Sequence, residues 1–188
     1  ANPLKRSILE KLVTRKPGET TPELTAALRT LLASPDGQLV AAALPIATLW
    51  DKTGALHVEI DNLVTRLLPQ INDASLADAQ RARAATALFG ALHTHPEVRP
   101  ALARALSEKN SNGLKQQIVA TLGSSKDSAA GPILVSAFNQ LSSEVQYSAF
   151  NALLTRADWA LAFLDAAEKK QISLLTLGPA RVFRLRAH

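Results

Sequence analysis

The sequence predicts an all-α protein, and three observations lead to this prediction. Hydrophobic residues make up 47% of the 188 residues but aromatic residues only 4%, so alanine and leucine supply most of the apolar bulk. Apolar residues recur at three- and four-residue steps through most of the chain, which is the helical period. Ten prolines and eight glycines punctuate these runs instead of gathering in one linker. Since the two-residue alternation of strands is hard to find, we expect closely packed helices.

The first half of the chain is predicted to form an N-terminal helix and two helix pairs. The expected helices cover residues 2–15, 22–32, 38–50, 56–71 and 76–92. The apolar side of the first helix is formed by Leu4, Ile8, Leu12 and Val13. Lys16-Pro17-Gly18 ends that helix, and Thr21 followed by Pro22 opens the next one as a cap and a first-turn proline.

Two further signals in the first half concern helix shape and helix ends. Pro45 lies inside the helix 38–50, where the missing N–H should bend the helix. Ser75 is followed three residues later by Asp78, which resembles a capping box and predicts that Ser75 caps the fifth helix.

The second half of the chain is organised around a predicted helical hairpin from Ala129 to Arg156. Pro132 lies in the first turn of its first helix, where the missing N–H is tolerated. The connection Leu141-Ser142-Ser143 is too short for anything but an antiparallel pair. We expect Gly123 to cap the end of the helix before this hairpin and Asp158 to cap the helix after it.

A short pattern of a small and a large apolar residue recurs in the second helix of successive pairs. Its first positions are Ala47, Ala87, Ala120 and Ala152, at spacings of 40, 33 and 32 residues. This degenerate repeat of helix pairs resembles HEAT-like α-solenoids, whereas the motifs of tetratricopeptide and ankyrin repeats are missing. The resemblance implies a HEAT/armadillo-like superhelix of about five antiparallel helix pairs plus the N-terminal helix, forming one domain over residues 1–188. The repeats are expected at 22–54, 55–95, 96–126, 128–157 and 158–188, and a compact helix bundle is the alternative.

Catalytic and cofactor motifs are not found in the sequence. The chain has no cysteine, so thiolate zinc sites, cysteine nucleophiles and haem attachment within it are excluded. No serine lies in a nucleophile motif and no glycine-rich loop has phosphate-binding spacing. Of the four histidines, His93 and His95 are expected in a turn and at the surface, and we find no carboxylate at metal-ligand spacing near any of the four. We therefore predict a non-catalytic chain without metal or cofactor, and no apolar run reaches the roughly 18 residues of a membrane span.

The formal net charge of +5 raises the question of an acidic partner. Five basic residues on the middle repeats could line a partner-binding groove: Arg81, Arg83, Arg99, Arg104 and Lys115. Trp50 and Trp159 are interpreted as packing residues, although two tryptophans could also line a base-binding concavity as in HEAT-like DNA glycosylases. A nucleic-acid-binding or DNA-glycosylase-like protein is therefore the alternative to a scaffold that binds a protein partner.

The C-terminal stretch carries a second resemblance. Its matching residues are Leu164, Asp165, Ala166, Glu168, Ile172, Leu177, Leu185, Arg186 and His188. The stretch is similar to the segment between the helical repeats and the c-type haem domain of large exported dehydrogenase-like proteins of planctomycete and verrucomicrobial type. Lys170 stands where that pattern usually has glycine. The resemblance implies a spacer and docking region of a longer periplasmic protein, with neighbouring domains as partners and a last helix from Gly178. The absence of methionine also suggests a processed product or a fragment.

Overall fold

The computed structural model describes residues 2–13, 21–107, 109–125, 128–173, 178 and 183. Within this described part every regular element is helical, which confirms the all-α prediction. The helices are α1 (Asn2–Val13), α2 (Pro22–Leu32), α3 (Gly37–Trp50), α4 (His57–Ile71), α5 (Asp78–Phe89), α6 (Val98–Ala105), α7 (Asn112–Ser124), α8 (Ala130–Ala137), α9 (Ser143–Leu153) and α10 (Ala157–Glu168), with a 3₁₀ turn at Phe138–Gln140.

The chain forms two compact units, Ala1–Ala101 and Leu102–His188. The prediction of a single domain stays a prediction.

Unit 1 is built around α3, in which seven of the 14 residues are buried. Helix α2 packs on α3 and α4 packs on α5, while α3 also packs on α5 and on α1. Buried residues lie on nearly all sides of α3: Leu39, Val40, Ala43, Leu44, Ile46, Ala47 and Trp50. Pro45 lies inside this helix as predicted, and the helix continues through it from Gly37 to Trp50.

Of the two helix caps predicted in unit 1, one is confirmed and the other is wrong. The Thr21 hydroxyl accepts a hydrogen bond from Leu24 N, and Pro22 follows in the first turn, as predicted. The predicted capping box at Ser75 is wrong, because α5 begins at Asp78 after Ala77, which makes no side-chain cap bond. The Ser75 N–H and hydroxyl instead donate to Asp73 Oδ1, at 2.9 and 2.7 Å. These bonds lower the pKa of Asp73 and hold Ser75 in the turn before the helix.

The predicted inward side of α1 is corrected in part. Leu4 and Ile8 are exposed, whereas Leu12 and Val13 are half-buried and Leu9 is buried. Helix α1 packs on α3, and Leu9, Leu12 and Val13 share one side of the helix. Since α1 offers apolar residues on two sides, its periodicity alone could not select the buried side.

Unit 2 contains the hairpin of α8 and α9, which the sequence placed between Ala129 and Arg156. Helix α7 packs on α9, and α8 packs on α10. Its core includes three phenylalanines, with the Phe163 ring meeting Phe138 and Phe150 edge-to-face at centroid distances of 5.0 and 5.8 Å. Such pairs add to the stabilisation from burial.

Two predicted caps in unit 2 are wrong. Helix α7 continues through Gly123 to Ser124. Gly123 instead allows close packing on α9, since a β-carbon on it would lie 2.8 Å from Ala152 Cβ. Asp158 lies inside the first turn of α10, after Arg156 in the cap position. The Arg156 guanidinium binds the Asp158 carboxylate at 3.0 Å, which lowers the pKa of Asp158, so the carboxylate faces outward.

The alanines of the predicted repeat pattern are not equivalent in the structure. Ala47 and Ala87 are buried and Ala152 is half-buried, but Ala120 is exposed. The pattern therefore does not mark one common buried position. The predicted last helix from Gly178 lies outside the described residues, apart from Gly178 and Phe183 themselves.

Candidate functional site

Arg81 is a structural residue in unit 1. It is only 5% exposed, its Nε donates to Ile71 O at 3.1 Å, and its Nη1 lies 3.5 Å from Asp78 Oδ1. Ile71 is the last residue of α4, so the guanidinium places a positive charge at the end of a helix, where carbonyl groups lack partners. Arg81 thus joins α5 to α4 and presents no free charge to a partner.

The other four predicted basic residues differ in exposure. Lys115 is 3% exposed within α7, so its aliphatic stem is packed. Arg83, Arg99 and Arg104 are exposed. Arg83 and Arg99 belong to unit 1 and Arg104 to unit 2. Binding of a partner through these three arginines stays a prediction.

Both tryptophans are buried, in agreement with their interpretation as packing residues. Trp50 is 8% exposed and Trp159 is 1% exposed. Among the described residues neither indole Nε1 has a hydrogen-bond partner. The Arg156 guanidinium carbon lies 5.3 Å from the centre of the Trp159 ring, which provides a cation–π contact. Neither ring lines the cavities described next.

A cavity of about 320 Å³ in unit 1 is lined in part by three titratable side chains, Asp51, His57 and His95. Its lining comprises Ala47, Thr48, Asp51, Gly54, His57, Ile60, Thr94 and His95. The cavity lies between the end of α3, the start of α4 and the turn that follows α5. Such a volume admits a small molecule.

A chain of polar contacts runs along one edge of this cavity. Asp61 Oδ1 is hydrogen-bonded to His95 Nε2 at 2.9 Å, and Asp61 Oδ2 lies 2.9 Å from His57 Nδ1. The second nitrogen of His95, Nδ1, lies 2.9 Å from the Thr94 hydroxyl. The side chain of His95 is 14% exposed and that of His57 is 71% exposed. The chain therefore ties α4 to the turn after α5.

This cluster corrects one expectation from the sequence. His57 and Asp61 are four residues apart on α4, which is a spacing that can place two ligands on one side of a helix. The spacing was visible in the sequence, but the approach of His95 from 34 residues away was not. The carboxylate contacts both histidines directly, and the described residues contain no group of three or more suited to a metal ion.

The remaining carboxylate of the cavity, Asp51, stabilises a turn. It accepts hydrogen bonds from Leu56 N at 2.6 Å, from Ala55 N at 3.1 Å and from the Thr53 hydroxyl at 2.8 Å. Partial burial raises the pKa of Asp51, but these bonds outweigh it and the pKa lies below its usual range. The polar groups of the cavity are thus engaged in holding α3, α4 and the following turn together.

A second cavity of about 520 Å³ lies in unit 2 between α8 and α10. Its lining comprises Pro132, Val135, Ser136, Asn139, Ala162, Asp165, Ala166, Lys169, Gln171 and Ile172. Asn139 Nδ2 donates to Gln171 O at 2.6 Å and closes one end of it. Asp165 and Lys169 bring opposite charges to its rim, so the groove favours no single sign of ligand.

The net charge of the chain is concentrated at its C-terminal end, which sequence reasoning missed. Residues 1–168 carry 16 basic and 16 acidic side chains, whereas residues 169–188 carry five basic and no acidic ones. Counting charge in windows along the chain would have found this signal. The predicted repeats at 55–95 and 96–126 together carry eight basic and six acidic residues, an excess of only two.

Comparisons with known proteins do not assign the chain. No protein-family model, curated protein or solved structure matches it. Among the described helices, none combines the length and the apolar character needed to cross a bilayer.

Proposed function

We propose that the chain is a HEAT-like repeat region with a non-catalytic scaffolding role, holding neighbouring domains or a protein partner. The order in which helices pack carries this proposal. In unit 1 each hairpin, α2–α3 and α4–α5, meets the next through its corresponding helices, α2 with α4 and α3 with α5. Unit 2 repeats the rule, with α7 on α9 and α8 on α10. In helical-repeat proteins, the first helix of each pair packs on the first helix of the next, and the second on the second. Such arrays present extended surfaces to partners.

The surface of α7 and α9 in unit 2 suits a protein partner. Gln116 Nε2 donates to Glu144 Oε1 at 2.8 Å, and the Ser142 hydroxyl donates to Asn112 Oδ1 at 3.0 Å, so polar contacts join the N-terminal ends of the two helices. Further along α9, Tyr147 is 48% exposed. A polar helix surface with an exposed tyrosine suits a protein interface, where tyrosine is enriched.

The parent protein that we propose is a large exported protein with dehydrogenase-like and cytochrome-like domains. One structural observation supports the resemblance from which this proposal comes. Lys170, which stands at the usual glycine of the pattern, has a φ of +57°. Glycine is favoured at a positive φ, so the backbone conformation of this chain at position 170 is one that suits the glycine of the pattern. The chain would then act as a periplasmic spacer.

Nucleic-acid binding, including a DNA-glycosylase-like function, is the less supported alternative. Of the five basic residues proposed for it, Arg81 and Lys115 are buried. Affinity for duplex DNA depends on how many phosphates a protein neutralises. Arg83, Arg99 and Arg104 alone would give weak binding, and both tryptophans are packed away from the surface.

Site-specific photocrosslinking tests the scaffolding role. A photoreactive phenylalanine analogue replaces Tyr147 in the full reading frame, expressed in its own host. We expect a crosslink either to another domain of the same polypeptide or to one discrete protein, identified by mass spectrometry. A matched variant carries the same analogue at Val58, which is 68% exposed on α4, and reports the background from any exposed position.

Two outcomes would contradict the proposal. One is crosslinking from Tyr147 at no more than the background measured at Val58. The other is salt-sensitive binding of duplex DNA that is lost when Arg83, Arg99 and Arg104 are all replaced by alanine, because this would favour the alternative. A C-x-x-C-H motif downstream in the reading frame would test the parent separately.

A further inference from the structure

The groove between α8 and α10 in unit 2 carries two opposite charges that the described part of the chain does not use. Asp165 and Lys169 both line it, and both are exposed. An acidic residue four positions before a lysine has the spacing at which helical side chains commonly form an ion pair. No described ion pair or side-chain hydrogen bond involves either group, whereas Asp158 on the same helix is paired with Arg156. Both charges are therefore available to a molecule in the groove.

The opposite wall of the groove carries an amide with spare hydrogen-bonding capacity. Asn139 Nδ2 donates to Gln171 O at 2.6 Å, and this bond fixes the orientation of the side chain. An asparagine amide offers two N–H donors and a carbonyl acceptor. Among the described contacts one donor is used, which leaves the second N–H and the Oδ1 atom. A donor and an acceptor on one amide match the C=O and N–H of a peptide backbone.

The floor between these walls is apolar. Its side chains come from both helices and from the turn after α10: Val135, Ala162, Ala166 and Ile172. Ala166 and Ile172 are buried, so the floor is continuous with the core of unit 2. The volume of about 520 Å³ lies within the range of about 300–1,000 Å³ that is usual for ligand sites. The groove can therefore take a short stretch of chain with a small apolar side chain.

The spacing of the two charges matches an extended peptide. Four residues of α-helix rise about 6 Å, which separates Asp165 from Lys169 along α10. Alternate residues of an extended chain are about 6.5–7 Å apart and project to the same side. A basic and an acidic residue two positions apart in such a segment therefore each meet the opposite charge on α10. A nucleic acid fits less well, because its phosphates bring like charge to Asp165.

We propose that the groove between α8 and α10 binds an extended, net-neutral peptide segment of a protein partner, in which a small apolar residue separates a basic residue from an acidic one. The basic side chain pairs with Asp165, the acidic one pairs with Lys169, and a backbone amide pairs with Asn139. The inference rests on the scaffolding role proposed above, since it names the chemistry of the partner. It concerns a groove that Tyr147 does not line.

Nuclear magnetic resonance titration of the full chain with defined peptides tests this groove. The probes are acetylated and amidated peptides with the central sequences Arg-Val-Glu, Arg-Val-Arg and Glu-Val-Glu, flanked by glycine. We expect the Arg-Val-Glu peptide to shift the side-chain amide signal of Asn139 and the backbone amides of residues 162–169. Its dissociation constant should be at least about fivefold lower than that of either like-charged peptide. Asn139→Ala should weaken its binding by at least about threefold.

Charge reversals on the exposed rim should change the specificity without changing the fold. Lys169→Asp leaves two acidic groups and should shift the preference to the Arg-Val-Arg peptide. Asp165→Lys leaves two basic groups and should shift it to the Glu-Val-Glu peptide. The matched control Glu168→Lys reverses a charge on the same helix outside the groove lining, and it should leave the preference unchanged.

Three results would overturn the proposal. The first is the absence of shifts at Asn139 and at residues 162–169 with about 1 mM Arg-Val-Glu peptide, a concentration that half-saturates a site binding with only about 4 kcal/mol. The second is a peptide preference that both rim reversals leave unchanged. The third is a shift of the same signals with protein concentration alone, because a second copy would then occupy the groove. Peptide binding is measured without a partner, so its failure is distinguishable from a failure of crosslinking at Tyr147.

Discussion

Gly90 packs directly on Pro45, so that a β-carbon on Gly90 would lie 2.7 Å from Pro45 Cγ and 2.8 Å from Pro45 N. The Thr48 hydroxyl lies within 2.8 Å of Gly90 O and joins the same two segments by a hydrogen bond. The proline inside α3 therefore fits where the chain leaves α5, and this contact sets how closely the two helices approach.

Replacing Gly90 by alanine should destabilise unit 1. The φ of Gly90 is −63°, so alanine adopts the backbone without strain and only the contact with Pro45 opposes it. Because the nearest atoms include a backbone nitrogen, we expect a loss of about 1–3 kcal/mol in the free energy of unfolding. Urea denaturation followed by circular dichroism measures it.

Gly37→Ala is the matched control for this prediction. Gly37 lies in the first turn of α3, and nothing lies within 4 Å of a β-carbon placed there. Alanine should leave the stability unchanged or raise it by up to about 1 kcal/mol. Equal effects of the two substitutions would mean that the contact with Pro45 does not limit the packing.

The sequence predicted helices better than it predicted their ends. Apolar periodicity placed the hairpin of α8 and α9 correctly, because tertiary packing and local pattern agree there. The cap at Ser75 was wrong because Asp73, two residues earlier, competes for the same hydroxyl. Local motifs of this kind are decided by single hydrogen bonds, which a pattern of residue types does not resolve.

The candidate sites were less predictable than the fold. Arg81 and Arg83 are identical in type and two residues apart, yet one is buried and the other exposed. Only the position of the Ile71 carbonyl separates their roles, and that position depends on how α4 meets α5. The contact of His95 with Asp61 likewise joins residues far apart in sequence, so no local spacing could indicate it.

The seam between α7 and α9 provides a second test of close packing. A β-carbon on Gly123 would lie 2.8 Å from Ala152 Cβ. Gly123→Ala should therefore lower the free energy of unfolding by about 1–2 kcal/mol despite the better helix propensity of alanine. Adding Ala152→Gly should recover part of the loss, as a favourable coupling energy in a double-mutant cycle. Gly113→Ala, on the same helix but with only Ser111 Oγ at 3.8 Å, should be neutral or stabilising.

Lys170→Gly should stabilise the end of α10. The left-handed backbone at Lys170 costs a residue with a side chain about 1–2 kcal/mol, whereas glycine loses roughly 0.5–1 kcal/mol through its greater freedom in the unfolded chain. We therefore expect a net gain of about 0.5–1 kcal/mol, seen as a higher melting temperature. Lys169, with φ −74°, is the control, since glycine there should give no gain. A gain at both positions would point to loss of charge as its cause.

Arg81→Met should separate a structural arginine from a partner-binding one. Methionine keeps the apolar stem but leaves the Ile71 carbonyl without its donor, so unfolding should become easier by about 1–3 kcal/mol. Arg83→Met, at an exposed position on the same helix, should change stability by no more than about 0.5 kcal/mol. Chemical denaturation of both variants checks this, and a neutral Arg81→Met would contradict the capping role.

The stability of the chain should fall in acid, and Asp51 should contribute to the fall. Its pKa is lowered in the folded state because Leu56 N, the Thr53 hydroxyl and Ala55 N outweigh the effect of burial. A carboxyl group with a lowered folded pKa stabilises the fold above its unfolded pKa, near 3.9, and loses this contribution as the pH falls through the lower folded value. Asp51→Asn has no such charge to lose.

The melting temperature of wild type and Asp51→Asn, measured from about pH 7 to about pH 3, tests this contribution. The Asn variant should be less stable at neutral pH and should lose less stability on acidification. Some loss should remain, because hydrogen bonds from Arg29 and from Arg156 also lower the pKa of Glu59 and of Asp158. Asp51→Ala, which removes the acceptor at every pH, should be less stable by about 1 kcal/mol at neutral pH with an equally shallow profile. Identical pH profiles for wild type and both variants would show that the turn at Asp51 gains nothing from the charge.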